Sequence, residues 1–142
     1  MILTVDKANE RAWAELCVAL WPEAEADALL RSRAGGGFRF EYIYYHTDKA
    51  VAFLSLSLRH DYVEGTTSSP VGYIEGIYVR PEHRGKGIAR RLIAHAKAWA
   101  IEHGCSELAS DTALENTDGR AFHHRVGFCE ANTVVCFTMR LR

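Results

Sequence analysis

Across residues 71–111 the sequence reads strand, turn, helix, strand, and this unit limits the available folds more than any other stretch. The apolar run Val71–Val79 stops at Pro81, and the basic, glycine-bearing stretch His83-Arg84-Gly85-Lys86-Gly87 follows. Ile88, Leu92, Ile93, Ala96, Trp99 and Ala100 then recur on one helical face, until His103-Gly104 closes it as a last turn and C-terminal glycine. Residues 106–111 return to strand composition. A strand that reaches its successor through a helix implies at least one parallel pair within a mixed sheet.

The remaining elements fit around that unit. Residues 2–5 alternate as a short strand, and residues 9–20 place Trp13, Leu16, Cys17 and Leu20 at helical spacing. That helix ends at Trp21-Pro22, because the residue before proline is pushed out of helical geometry. A second helix is expected from Glu23 through Leu30, and Gly35-Gly36-Gly37 breaks the chain. Residues 38–46 and 50–58, rich in aromatic and β-branched side chains, read as a hairpin across Thr47-Asp48-Lys49. Residues 59–70 read as a polar loop. Residues 116–126 support a helix ending at Gly127, and residues 133–141 alternate as a final long strand. The predicted order is β-α-α-β-β-β-α-β-α-β, an α+β (mixed α/β) fold. A length of 142 residues suits one domain, 1–142.

Several function classes lack a basis. The net charge is −1 with no block of like charge, so a nucleic-acid surface has no electrostatic support. Cys17, Cys105, Cys129 and Cys136 fall at scattered spacings, the pattern of free cytosolic thiols rather than of a disulfide framework. The histidines contain no H-E-x-x-H, and the adjacent His123 and His124 point to different sides of any helix, so no metal is expected. No apolar run approaches the roughly 20 residues that span a bilayer, and the N-terminus lacks a basic region followed by an apolar one. A cytoplasmic location is the expectation.

The turn between Val79 and Ile88 carries the chemistry. Glycines let backbone N–H groups approach an anion closely, and a helix N-terminus offers unpaired donors with roughly half a positive charge. Arg84, Lys86, Arg90 and Arg91 add formal charge. Phosphate binding is the natural use, yet R-G-K-G-I-A matches neither the Walker pattern nor the dinucleotide fingerprint. It matches R-x-x-G-x-A, read at Arg84, Gly87 and Ala89, and here the chain resembles the GNAT superfamily of acetyl-CoA-dependent N-acetyltransferases. The likeness extends over nearly the whole chain, through V-x-P-x-x-R-G-K-G-I-A-R-R-L and through the order of elements.

That resemblance implies a mixed, mostly antiparallel twisted sheet with splayed central parallel strands and flanking helices. It also implies that the backbone of Ile77, Tyr78 and Val79 pairs with the pantetheine arm of acetyl-CoA. Arg84, Gly85, Lys86, Gly87, Ile88, Ala89 and Arg90 would hold the pyrophosphate. A closer resemblance, to the aminoglycoside 6′-N-acetyltransferases, runs through Leu20-Trp21-Pro22, Arg59-His60-Asp61-Tyr62-Val63, Ser68-Ser69-Pro70, Glu75-Gly76-Ile77 and Ala109-Ser110-Asp111-Thr112. By that likeness Trp21, Tyr62, Glu75 and Asp111 line the acceptor pocket, with Asn116 near the coenzyme. Where this family often carries an acidic substrate contact after Gly127-Phe128, the chain has Asn132, with Glu130 close by.

These residue types suit the reaction. An amine attacks a thioester only with its lone pair free, and at neutral pH an aminosugar amine is mostly protonated, so a base must accept a proton. Glu75 and Asp111 lie near the ends of neighbouring strands, and either serves directly or through water; Glu75 is favoured as base, Asp111 as the anchor for an ammonium group. The backbone N–H of Val79 is the candidate donor to the developing oxyanion. His123 stands where many superfamily members carry a tyrosine that protonates the departing thiolate, although a helix histidine that simply packs is an equal alternative. Trp13 and Trp99 lie on apolar stripes and belong to the core.

The expected activity is acetyl transfer from acetyl-CoA to the 6′-amine of an aminoglycoside, conferring resistance. Another small polyamine or a protein amine is the alternative acceptor, and a non-catalytic acyl-CoA-binding module a third reading. Resemblance suggests a homodimer, and the last strand offers either a partner edge or an internal neighbour.

Overall fold

The computed structural model describes residues 1–37 and 39–142; Phe38, expected to begin a strand, lies outside the described residues. Its elements are β1 (Ile2–Thr4), α1 (Glu10–Leu20), α2 (Ala26–Ala34), β2 (Arg39–His46), β3 (Lys49–Arg59), β4 (Val71–Val79), a 3₁₀ turn (Pro81–His83), α3 (Ile88–Glu102), β5 (Leu108–Ser110) and α4 (Thr117–Arg125). The sheet order is β1-β2-β3-β4-β5, antiparallel from β1 to β4 and parallel between β4 and β5. The crossover through α3 thus produces the parallel pair that its sequence requires.

Strand alternation divides the core between the two faces of the sheet. On one face, Leu54, Leu56 and Ile74 pack with the α3 stripe of Ile88, Leu92, Ile93, Ala96, Trp99 and Ala100. On the other, Ile43 and Phe53 pack with Trp13, Ala14, Leu16 and Cys17 of α1. Both predicted core tryptophans, Trp13 and Trp99, are buried. All four cysteines are free thiols. No helix among the described residues is long and apolar enough to cross a membrane.

Two sequence expectations change. Arg59, read as the start of a loop, is the last residue of β3 and pairs with Val71. The final strand, expected over residues 133–141, does not form: from Phe128 onward the chain has no helix, turn or paired strand, and residues 129–142 are exposed throughout. Alternation makes a segment fit to pair, but a ladder also needs a neighbouring edge. The base of this arm is fixed by Arg120 donating to Glu130 at 2.9 Å and Asn132 donating to Glu64 at 2.7 Å. Beyond it Val135, Phe137, Met139 and Leu141 lie open, with Phe137 89 % exposed.

Candidate active site

The parallel pair is short, and its shortness opens the site. Only Gly72, Tyr73 and Ile74 pair with β5, opposite Leu108, Ala109 and Ser110. Beyond Ile74 the two strands diverge, and a crevice of about 940 Å³ lies between them. On its other side β4 pairs Gly76 with Ser55 and Ile74 with Leu56, leaving Glu75 as the extra residue of a β-bulge. A bulge bends its strand and re-aims a side chain. Here it occurs beside Gly76, where an added Cβ would come within 2.6 Å of the Trp21 ring. Glycine is what lets that indole, at the end of α1, lie against the strand.

At the far end of the crevice, Gly85 (φ 76°) and Gly87 (φ 81°) adopt the left-handed conformation, and no heavy atom stands within 4 Å of where a Cβ would be. The turn therefore presents bare backbone, immediately before the first turn of α3, whose amides have no acceptor within the helix. Arg84, Gly85, Gly87, Ile88, Ala89 and Arg90 line the crevice with Ile77, Tyr78 and Val79. Arg84 Nε donates to the Val79 carbonyl at 2.8 Å, and Arg90 donates to the Arg125 carbonyl at 3.3 Å, so both arginines also brace the walls. Lys86 is exposed beside the lining. Arg91 turns away and donates to the Tyr44 hydroxyl at 2.8 Å. A diphosphate with an extended arm fits this set: donors and cations at the turn, and β4 backbone free of a β5 partner along Ile77 to Val79.

Trp21, Glu75 and Asp111 line the other end. The Trp21 ring meets Phe53 edge-on at 5.6 Å. The Tyr73 hydroxyl donates to Asp111 at 2.5 Å, and burial together with that carboxylate pushes the Tyr73 phenol well above its ordinary range. Burial acts to raise Glu75, but hydrogen bonds from Ser57 and Arg59 and the positive charge of Arg59 and Arg39 outweigh it, and the carboxyl is held below its usual value. His123 Nδ1 lies 2.7 Å from the Gly119 carbonyl and must donate there; in the neutral ring Nε2 then accepts from Ser110 Oγ at 2.8 Å. Asn116 caps α4, accepting from the Gly119 N–H at 3.0 Å, and lines the crevice between its two ends.

The structure does not bring every candidate into the crevice. Tyr62 lies in the 60–70 loop, 73 % exposed, where its hydroxyl accepts from the Gly65 N–H. Asn132 faces the same loop through Glu64. Neither is among the lining residues. Conversely, Ser57, Tyr73 and Arg39, which touch the two carboxylates, carry no motif, and Arg59 stands in a family string without having been read as a site residue. The one sequence signal was Gly76 inside a strand pattern, a common mark of a bulge.

Comparison with known proteins agrees with this geometry. The model of the Acetyltransferase (GNAT) family matches residues 2–128. Aminoglycoside N(6′)-acetyltransferase type 1 of Acinetobacter haemolyticus is 39 % identical over 142 residues, covering 99 % of this chain and 98 % of its own. The enzyme of the same name from Stenotrophomonas maltophilia is 42 % identical over 136 residues, covering 94 % and 89 %. Among solved structures, AAC(6′)-Iy in complex with the bisubstrate analogue CoA-S-monomethyl-acetylneamine superposes with a TM-score of 0.92 at 36 % identity, covering 99 % of this chain and 97 % of that one.

Proposed function

The chain belongs to the GNAT acetyltransferase family, and from that premise we propose that it transfers the acetyl group of acetyl-CoA to the 6′-amino group of an aminoglycoside antibiotic. The observation that carries this reading is one crevice with a basic turn of bare glycine backbone at one end and two carboxylates beside an indole at the other. A relative of the same fold holds a ligand that joins coenzyme A to acetylneamine, which supports the same layout here. Acetylation removes a positive charge from the antibiotic, and resistance is the proposed role.

Acetyl-CoA supplies the activated acyl group; the chain's residues bind, orient and move protons. The glycine turn and the first turn of α3, with Arg84, Lys86 and Arg90, take the pyrophosphate, and the free β4 backbone at Ile77 to Val79 aligns the pantetheine arm. The N–H of Val79 is the proposed donor to the oxyanion. Asp111, oriented by Tyr73, anchors an ammonium group, while Glu75 takes the proton of the attacking amine, directly or through water. His123, in its protonated form, is our candidate to return a proton to the thiolate, with Asn116 at the coenzyme side. Trp21 offers a flat apolar face to a sugar ring. Tyr62 and Asn132 belong to the outer rim, where Glu64 and Asp61 add negative charge.

The active unit is proposed to be a cytoplasmic homodimer of this one domain, with the exposed 133–142 arm pairing on a second copy. The deciding assay follows thiol release from acetyl-CoA with kanamycin, tobramycin, gentamicin, spermidine and a lysine peptide, with mass spectrometry of the products. Acetylation of the sugars at the 6′ amine is expected. Turnover confined to spermidine or the peptide would overturn the acceptor assignment and leave the acetyltransferase standing.

A further inference from the structure

One of the two crevice carboxylates, Glu75, is already met by two cations, while Asp111 is met by none among the described residues. Arg59 donates through one terminal nitrogen to both oxygens of Glu75, at 2.9 and 3.2 Å, and through Nε at 3.3 Å. The guanidinium of Arg39 reaches the same carboxylate at 3.7 Å. Glu75 is nearly enclosed, its side chain 14 % exposed, while those of Arg59 and Arg39 are 42 % and 50 % exposed. Each arginine lies over an aromatic face: Arg59 is 3.5 Å from the Tyr73 ring centroid and Arg39 is 5.9 Å from that of Trp21. Tyr73 in turn donates to Asp111. The Glu75 half of the anionic trap that a cationic acceptor needs is therefore neutralised from within, by long, half-exposed side chains anchored at the ends of β2 and β3.

We propose that Arg59, backed by Arg39, is a specificity-determining residue: it holds Glu75 in the place of an acceptor ammonium group and yields it only to an acceptor that brings more than one positive charge. The inference rests on the acetyltransferase reading above and adds a selection step to it. A guanidinium fork grips a carboxylate at several points, whereas an ammonium is a single point charge, so one amine exchanged for Arg59 is a losing trade. A second ammonium, received by Asp111 at the same time, repays the difference. Lone amines such as a lysine side chain or a monoamino sugar are thereby disfavoured by a competing contact inside the protein.

The test compares Arg59→Gln and Arg59→Lys with the unaltered protein, using neamine and the monoamine methyl 6-amino-6-deoxyglucoside as acceptors. Thermal melts establish that each variant is folded. The unaltered protein is expected to prefer neamine strongly. Arg59→Gln should lower the ratio of the two kcat/KM values roughly tenfold, by raising kcat/KM for the monoamine, with the KM for acetyl-CoA within about twofold of its starting value. Arg59→Lys should fall between. An unchanged ratio, or an equal loss of kcat for both acceptors, overturns the inference while neamine turnover keeps the function. If the unaltered protein does not acetylate neamine, the aminoglycoside acceptor and this inference fall together, and the acetyltransferase reading stands or falls by the broader acceptor panel.

Discussion

Glu41 on β2 and Glu75 on β4 are glutamates of the same sheet, and their surroundings drive them in opposite directions. Glu41, 9 % exposed, accepts from the Ser55 hydroxyl, and burial raises its carboxyl above the ordinary range despite that bond and nearby arginines. A carboxyl raised on folding contributes most below its unfolded value, about 4.3, and that contribution is lost as pH rises through the folded value. Glu41→Gln keeps the shape and a hydrogen-bonding group without the charge. It should therefore raise the melting temperature at pH 8 by about 3 °C or more, with a smaller gain at pH 5, as read by calorimetry at both pH values. An equal gain at both would mean that Glu41 titrates alike folded and unfolded. Glu75 has the opposite sign: its lowered carboxyl stabilises the fold above the unfolded value, and the contribution is lost as pH falls through the lower folded one. It is ionised throughout the neutral range. Glu75→Gln should cut kcat about 100-fold or more at pH 7 with little change in the KM for acetyl-CoA; unchanged turnover across pH would remove it from proton transfer. His123→Ala should lower kcat about tenfold, since a thiolate leaves tolerably well without help; normal kcat would leave the ring as a tie between α4 and β5.

At the scale of elements, the local patterns and the parallel crossover pair were legible, and the residue register between strands was not. The α3 stripe, the β2–β3 hairpin and the glycine turn before α3 follow from spacings within one window, and each stands close to its predicted place. Glu75 is a candidate from sequence and it lines the crevice, but its bulge depends on the register between β3 and β4. The contacts of Arg59 with Glu75 and of Tyr73 with Asp111 depend on the same registers, which no window of sequence contains. Gly76 is where the two scales meet, because a residue choice at one position determines how closely α1 approaches β4. In Gly76→Ala the new Cβ meets two ring carbons of Trp21 at 2.6 Å. The indole must shift, with a stability loss of about 1–3 kcal/mol by denaturant titration. The KM for the aminoglycoside should rise while that for acetyl-CoA, bound at the far end, stays near its original value. A rise in both would mean that the bulge also shapes the pantetheine track.

For the whole molecule, the missing final strand becomes an argument about assembly. Residues 133–141 have the alternation of a strand, yet Val135, Phe137, Met139 and Leu141 remain between 77 % and 89 % exposed and their backbone joins no ladder among the described residues. A row of apolar side chains with unpaired backbone is costly in water and fit for pairing with another chain. In the proposed homodimer each arm completes its strand against the other copy, so association adds to the stability of a chain whose core forms without the arm. Such a protein melts at a temperature that rises with its concentration, because unfolding releases two chains. Removal of residues 133–142 should give a monomer by light scattering, with a melting temperature independent of concentration. The Glu130 and Asn132 contacts at the arm's base would stay in place. If the shortened chain still forms dimers, the interface lies elsewhere and the arm has some other partner; if the full chain is itself monomeric at every concentration, the assembly proposal fails outright.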